Sequence, residues 1–242
     1  MVLNGGLVKT TKFGKPNYIG DPMNAVRIFN DLKADELVFL DITPAKKRHI
    51  NFELIQQIAE EAFMPFAYGG GVYSIETAGK ILSSGAEKVV LNGIAYRNNQ
   101  VLSEIAATYG NQSIIASIDV KKKRFGKQQV YISNGSKSTG LDPVEYAVQL
   151  QNKGAGEVLI QSVDHDGMME GYDIELIKRV VDKTNIPIIA CSGAGKLEDM
   201  REVIESGLSN AAAAGSLFVY QGNRKGILIN YPDQKELIGI FT

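Results

Sequence analysis

One cysteine, Cys191, and two histidines, His49 and His165, are all that this 242-residue chain has of the residues that most often bind zinc or build disulfides. A lone cysteine excludes an internal disulfide, and two histidines far apart in sequence leave no pattern for a His/Cys metal cage, so no metal is expected. Charge of one sign is also lacking: 26 basic residues face 27 acidic ones, for a net charge of −1 and a pI of about 6.2. That balance gives no broad basic surface for nucleic acid. No apolar run approaches the roughly 20 residues of a membrane span, and the N-terminus has no signal-peptide pattern. The expectation is a soluble cytoplasmic protein with neither a nucleic-acid nor a membrane partner.

What is present is ordinary globular material, 44% hydrophobic and 22% charged, enough for a sizeable core. Short apolar runs alternate with longer amphipathic segments along the whole chain. Glu36–Asp41, Pro65–Tyr68, Lys88–Leu91, Ile114–Asp119, Glu157–Ser162, Pro187–Cys191 and Asn210–Ala213 read as buried strands. Helical spacing follows in Phe52–Ala62, Ser74–Ser84, Val101–Tyr109, Pro143–Lys153, Ile174–Thr184 and Leu197–Ser206. Continuous apolar strands returning through helices predict a parallel sheet covered by helices. Val130–Ser133 reads as one strand of a hairpin inserted after the fifth strand, and Gly226–Asn230 as a β-like run where an eighth helix would be expected.

The two halves of the chain resemble each other. Asp21-Pro22 recurs as Asp142-Pro143, 121 residues on, and in the same register Ala34 meets Ala155 and Glu36 meets Glu157. After a one-residue insertion Pro65 meets Pro187, Gly71 meets Gly193, Ser84-Gly85 meets Ser206-Gly207, and Gly93 meets Gly215. A doubly wound sheet has no reason to repeat at half its length, whereas two (β/α)₄ halves closed into one cylinder do. The fold predicted is a single α/β domain over residues 1–242, a (β/α)₈ TIM barrel of about 250 residues or fewer. Its first strand is confined to Met1-Val2-Leu3, before Asn4-Gly5-Gly6, and is very short.

Glycine and small polar residues cluster after four strands. Gly69-Gly70-Gly71 follows the third, and Ser192-Gly193-Ala194-Gly195 its counterpart, the seventh; Asn92-Gly93 and Gly215-Ser216 follow the fourth and eighth. Residues without a Cβ let backbone N–H groups approach a phosphate, and barrels commonly hold phosphate after strands seven and eight. Simple turns are the alternative reading of such loops. Two cradles at matching places in a twofold repeat suggest a substrate carrying a phosphate at each end.

With these residues the sequence resembles the cyclase subunit of imidazole glycerol phosphate synthase over nearly its whole length. The segments that carry the resemblance are ADELVFLDIT (Ala34–Thr43), GGGVYSIETA (Gly69–Ala78), GAEKVVLN (Gly85–Asn92), SIDVKK (Ser117–Lys122), TGLDPVE (Thr139–Glu145), DHDGMMEGYD (Asp164–Asp173) and SGAGKLED (Ser192–Asp199). The resemblance implies a reaction without a cofactor. Ammonia from a glutaminase partner attacks a bis-phosphorylated ribulosyl-aminoimidazole carboxamide, giving imidazole glycerol phosphate and an aminoimidazole carboxamide ribotide for histidine biosynthesis. In that family two aspartates act as general acid and base. One matches Asp119, a strand-end carboxylate suited to carrying protons; a structural partner of Lys121–Lys123 is the alternative. The other falls at Met1, which departs from the pattern. Lys9 matches the lysine of the mobile first loop, which also holds Lys12 and Lys15. Asp166 and Gly167 match a substrate-contacting segment, beside which His165 reads as incidental. Gly70, Gly71, Asn92, Gly93, Ser192, Gly193, Gly215 and Ser216 would hold phosphate.

The resemblance also implies a charged gate at the N-terminal face, where a glutaminase subunit docks and ammonia enters. Glu36, Lys88 and Glu157 match three of its four members, the fourth falling before Met1; a plain ion-paired plug is the alternative. The chain has no nucleophilic Cys/His pair of its own for glutamine hydrolysis. The altered N-terminus, lysine-rich first loop and unusual C-terminus also suit a paralogue from surface-polysaccharide gene clusters, delivering ammonia for acetamidino sugars. A non-catalytic ammonia conduit is the third reading.

Overall fold

Parallel strands covered by helices on one face and closed on themselves on the other must bury both faces, and the apolar runs of this chain meet that demand. The computed structural model describes every residue except 48, 124–125, 223 and 242, together with all but two of the remaining side chains, those of residues 46 and 241. Eight barrel strands follow in chain order: β1 (Val2–Leu3), β2 (Leu37–Leu40), β3 (Phe66–Gly69), β4 (Lys88–Leu91), β5 (Ile114–Lys122), β6 (Glu157–Ser162), β7 (Ile188–Cys191) and β8 (Ala211–Ala213). From β2 to β8 each pairs in parallel with the next. The fold is an α/β barrel of the TIM type.

β1 joins the sheet through a parallel bridge between Val2 and Asp41, with the Ile42 amide donating to the Val2 carbonyl at 2.9 Å. It stops after two residues because the chain reverses there: Asn4 and Gly5 take left-handed conformations (φ 49° and 82°) and lead into an antiparallel hairpin, Gly6–Lys9 with Asn17–Gly20. This hairpin is the start of the first loop, and periodicity alone did not point to it. A second hairpin, Gln128–Ile132 with Lys137–Ser138, adds antiparallel to the end of β5, as expected after the fifth strand.

The helices are α1 (Pro22–Asp31), α2 (Phe52–Glu61), α3 (Ile75–Ser83), α4 (Gly93–Arg97), α5 (Gln100–Tyr109), α6 (Pro143–Asn152), α7 (Ile174–Val181), α8 (Leu197–Glu205) and α9 (Gln234–Phe241). The repeated Asp-Pro pair has a local cause. Asp21 and Asp142 are N-caps, accepting from the amides of Asn24 at 2.9 Å and Val144 at 2.8 Å, and the proline after each occupies the first helical turn. Asn51, Ser74 and Asp173 cap α2, α3 and α7 in the same way.

Alternation along the strands produces two cores. Ile114, Ala116, Ile118 and Val120 of β5, Val158 and Ile160 of β6, and Ile188 and Ala190 of β7 pack outward against the helices. Ile115, Leu159 and Ile189, with Ala67 and Val90, fill the inside of the cylinder. Two separate buried clusters from adjacent residues of the same strands are what a closed sheet requires.

After β8 the chain forms a short antiparallel hairpin, Tyr220–Gln221 with Gly226–Ile227, before α9, so the β-like run is strand only at its start. Among the described residues no ladder pairs β8 with β1. The ends of the barrel are joined instead by packing: Tyr231 lies 4.9 Å from Phe218 and 6.5 Å from Phe29 of α1, ring to ring, and donates its hydroxyl hydrogen to Asp35. Tyr231→Ala is expected to lower stability by about 2 kcal/mol in urea denaturation and to speed amide exchange in α1 and α9. Unchanged stability with unchanged exchange would mean that the tail does not brace the barrel.

Candidate active site

Every second residue of a strand faces the barrel interior, so each strand delivers a column of side chains running from the N-terminal to the C-terminal end. On β4 the column is Lys88, Val90 and Asn92; on β6 it is Glu157, Leu159 and Gln161; on β5 it is Ile115, Ser117 and Asp119. The result is three layers: charge at one end, apolar packing in the middle, and amide and carboxylate groups at the other.

The polar end opens into a cavity of about 1110 Å³ lined by Gly69–Gly71, Asn92, Gly93, Ser117, Asp119 and Gln161, and by Met1, Thr10, Phe13 and Gly14 from the start of the chain. Gly70 has to be glycine. Its φ is +112°, and a Cβ there would stand 2.3 Å from the Asp41 carbonyl oxygen. Gly71, at φ +78°, continues the bend toward the Ser74-capped start of α3. Four of the expected phosphate positions, Gly70, Gly71, Asn92 and Gly93, are thereby brought into one cavity with Asp119.

Asp119 is buried at 4% exposure, and the Gln161 side-chain amide donates to its Oδ1 at 3.3 Å. Gln161 is itself anchored by a 3.0 Å bond to the Ser117 hydroxyl, and the Asn92 amide by a 3.1 Å bond to the Ser117 carbonyl. Burial pushes the Asp119 carboxyl up to about 7, against the hydrogen bond from Asn92 and with the charge of Asp166 acting in the same direction. A carboxyl poised near neutrality can both take up and return a proton, which is what general acid–base work needs. Gln161 escaped the sequence reading. The available signal was its register: it lies opposite Asp119, two residues beyond the inward Leu159.

The second cradle is arranged differently. Ser192, Gly193, Gly215 and Ser216 do not line this cavity. Lys9 leans over Gly215, its Nζ 2.5 Å from where a Cβ would be. The Ser216 hydroxyl is buried with no hydrogen-bond partner among the described residues, a situation that costs roughly 1–3 kcal/mol unless something fills it. An oxyanion beside Lys9 would meet both needs.

Asp166 and Gly167, expected to touch substrate, make other contacts. The Asp166 carboxylate accepts from the Thr10 hydroxyl at 2.6 Å and the Phe13 amide at 3.2 Å, and its carbonyl from the Lys12 amide at 2.8 Å. Lys12 and Phe13 are consecutive left-handed residues (φ 52° and 55°), a strained turn that these bonds hold in place. Lys225, from the hairpin after β8, donates to the Gly167 carbonyl at 3.3 Å. Asp166 therefore latches the first loop across the mouth.

At the far end Lys88 bonds Glu157 at 2.8 Å and Glu36 at 3.4 Å, so the three expected gate residues meet. Burial works against the Lys88 charge, but the two carboxylates outweigh it and hold the ammonium above its usual range. Burial raises Glu36 in turn, with Lys88 opposing. His165 uses its Nδ1 for both Ser162, at 2.7 Å, and Asp173, at 3.9 Å. One nitrogen serving both neighbours cannot relay a proton between them, so these three side chains are not a catalytic triad. Among the described residues no helix is long and apolar enough to cross a membrane, and no group of three His, Cys, Asp or Glu could hold a metal ion.

The family model described as "Histidine biosynthesis protein" matches residues 2–225. The chain belongs to that family. Within it, the chain is 43% identical over 243 aligned positions to a putative imidazole glycerol phosphate synthase subunit HisF of Leptospira interrogans, covering 100% of this chain and 96% of that one. It is 42% identical to a putative subunit hisF2 of Pseudomonas aeruginosa, over 96% of this chain and 93% of the relative. It is 39% identical to imidazole glycerol phosphate synthase subunit HisF of Alkaliphilus metalliredigens, over 90% and 87%.

Two outcomes follow from the site. Asp166→Asn should weaken the latch, and trypsin should then cut after Lys12 several-fold faster; an unchanged digestion rate would remove the latch. The second concerns Asp119, whose folded-state carboxyl titrates at about 7 against an ordinary 3.8. Between these values the folded protein holds a proton that the unfolded chain has lost, so this contribution to stability is full below the lower value and declines as pH rises to about 7. Asp119→Asn should abolish that decline and leave the variant more stable than wild type at pH 8, by on the order of 2–4 kcal/mol in denaturant titrations. Parallel pH profiles for the two proteins would contradict the burial account.

Proposed function

We propose that this chain is the ammonia-using cyclase subunit of an imidazole glycerol phosphate synthase. It takes ammonia from a separate glutaminase and, with a ribulosyl-aminoimidazole carboxamide bearing two phosphates, forms imidazole glycerol phosphate and an aminoimidazole carboxamide ribotide. The observation that carries the reading is Asp119, buried near neutrality at the floor of a glycine-lined cavity and oriented by Gln161. Family membership supports the same reading.

In this account the first loop closes over the substrate and keeps water out, with Asp166 as its latch. The glycine cradles take the phosphates through backbone N–H groups, and Lys9 adds charge at the second. Ammonia adds to the ketone carbon of the ribulosyl chain and water leaves; the nitrogen so placed then attacks the formimino carbon, and the bond from that carbon to the aminoimidazole carboxamide nitrogen breaks as the ring closes. Asp119, as carboxylate, takes a proton from the attacking nitrogen and returns it to the departing group. Ammonia arrives from the opposite face. The apolar layer of Ala67, Val90, Ile115, Leu159 and Ile189 admits a small neutral molecule and rejects ions, because an unpaired charge there would cost several kcal/mol or more. Glu36, Lys88 and Glu157 form the door to that layer, and a docked glutaminase would open it by displacing the Lys88 ammonium.

One specific observation favours a second reading, a paralogous subunit with a different ammonia acceptor. Met1 lines the cavity at the position where the family's other aspartate would fall, and relatives at 42% identity carry the names hisF2 and hisF3.

The test supplies the protein with the ribulosyl substrate and excess ammonium. Wild type should turn over, with activity rising as pH passes through about 7 as the Asp119 carboxyl ionises. Asp119→Asn should lose about 10²–10⁴-fold in kcat. No turnover by wild type would reject the histidine-pathway assignment in favour of the paralogue. Full activity of the Asn variant would remove Asp119 from the chemistry.

A further inference from the structure

Gly93 and Gly215 occupy equivalent places in the two halves, and each has a cationic side chain beside it. At Gly215 the cation is Lys9. At Gly93 it is Arg97: a Cβ there would lie 3.6 Å from Nη2, 3.7 Å from Cζ and 4.0 Å from Nη1, ordinary contact with a guanidinium laid across the glycine. The two cations do not correspond in the repeat. One comes from the first loop and the other from the end of α4, so the match in position is not inherited from the halves' common pattern.

Local geometry explains how Arg97 reaches this place. Side chains on a helix lean toward its N-terminus, and residues four apart share a face. Arg97 is four residues beyond Gly93, so its side chain runs back along α4 and comes to lie beside the glycine. A helix of five residues has little dipole of its own to offer an anion, so the charge at this end has to come from the side chain. Nη2 lies 3.5 Å from the Ser133 hydroxyl, and no carboxylate pairs with the guanidinium among the described residues. Arg97, Asn92, Gly93 and Gly70 line one cavity. An unpaired guanidinium facing a glycine-lined cradle suits a dianionic phosphate monoester, whose oxygens match its planar fork.

We propose that Arg97 is the phosphate-binding cation of the first cradle, the counterpart of Lys9 at the second, so that the site grips a substrate by a phosphate at each end. This rests on the two-phosphate substrate proposed above. Arg97 plays no part in moving protons, and its contribution is to binding and to choosing a ligand with a terminal phosphate at that end.

The test uses the full chain and two independent readouts. In ³¹P NMR titrations with inorganic phosphate, wild type should show two sites. Arg97→Leu should lose one, Lys9→Met the other, and Arg97→Lys should recover part of the first. In turnover with the ribulosyl substrate and excess ammonium, Arg97→Leu should raise KM by about 10- to 100-fold, with the loss falling on KM rather than kcat, because the phosphate is held equally in ground and transition states. Arg97→Leu that binds two phosphates as wild type does, or wild type that binds none, would overturn the assignment. If wild type binds two phosphates and Arg97→Leu one, but neither turns over the ribulosyl substrate, the cation assignment stands and the substrate assignment falls. Arg97 is exposed, so its replacement leaves the packed core intact.

Discussion

The alternation of side chains on parallel strands governs this molecule. A strand that buries both faces must give one set of residues to the helices and the other to the inside of the cylinder, and neither set can be polar through the middle without large cost. Val89, Val90 and Leu91 of β4 show the division: the first and last pack outward and the second packs inward. Polar side chains on the inner columns are therefore confined to the two ends. Lys88 and Asn92 stand two residues either side of Val90, and Glu157 and Gln161 two residues either side of Leu159. The Glu36–Lys88–Glu157 cluster and the Asp119 cavity are two ends of the same columns, separated by the apolar layer they share.

That layer also sets the electrostatics of the site. Asp119 sits just above it, where solvation is poor, and two neutral amides contact it rather than a cation. An arginine or lysine in place of Gln161 would hold the carboxyl ionised and low. The amide orients it while leaving its affinity for the proton near neutrality. At the other end the same poor solvation is met in a different way, by surrounding one ammonium with two carboxylates. The first leaves a carboxyl near neutrality, and the second holds its ammonium charged.

The twofold repeat extends to the backbone cradles but not to everything around them. Gly93 and Gly215 correspond, while the cations beside them come from unrelated segments. The first cradle opens into the cavity, and the second lies under Lys9 and the latched first loop. The hairpin after β8 adds to this asymmetry by bringing Lys225 onto Gly167, the residue next to the latch. Two halves that began alike have thus been given different access to solvent.

Much of this was readable in the residues. The strand runs, the Asp-Pro caps and the glycine loops depend on local preferences and spacing, which a linear chain displays, whereas Asp119, Glu36, Lys88 and Glu157 were singled out by the match of their segments to the family the sequence resembles. Strand boundaries coincided with the observed ones at Glu157–Ser162 and Lys88–Leu91, since their flanking residues change character sharply. What pairs with what across the barrel was beyond that reading. Asp119 and Gln161 are 42 positions apart, and Thr10 and Asp166 are 156 apart, and nothing local signals that the pairs touch. The sequence alone determined which residues could face inward and where backbone could approach an anion, because those are properties of single residues and short periods. Only the tertiary structure decided that Asp166 would latch a loop, that Gln161 would orient Asp119 and that Arg97 would lie across Gly93, because each depends on closing the cylinder and on where its loops then meet.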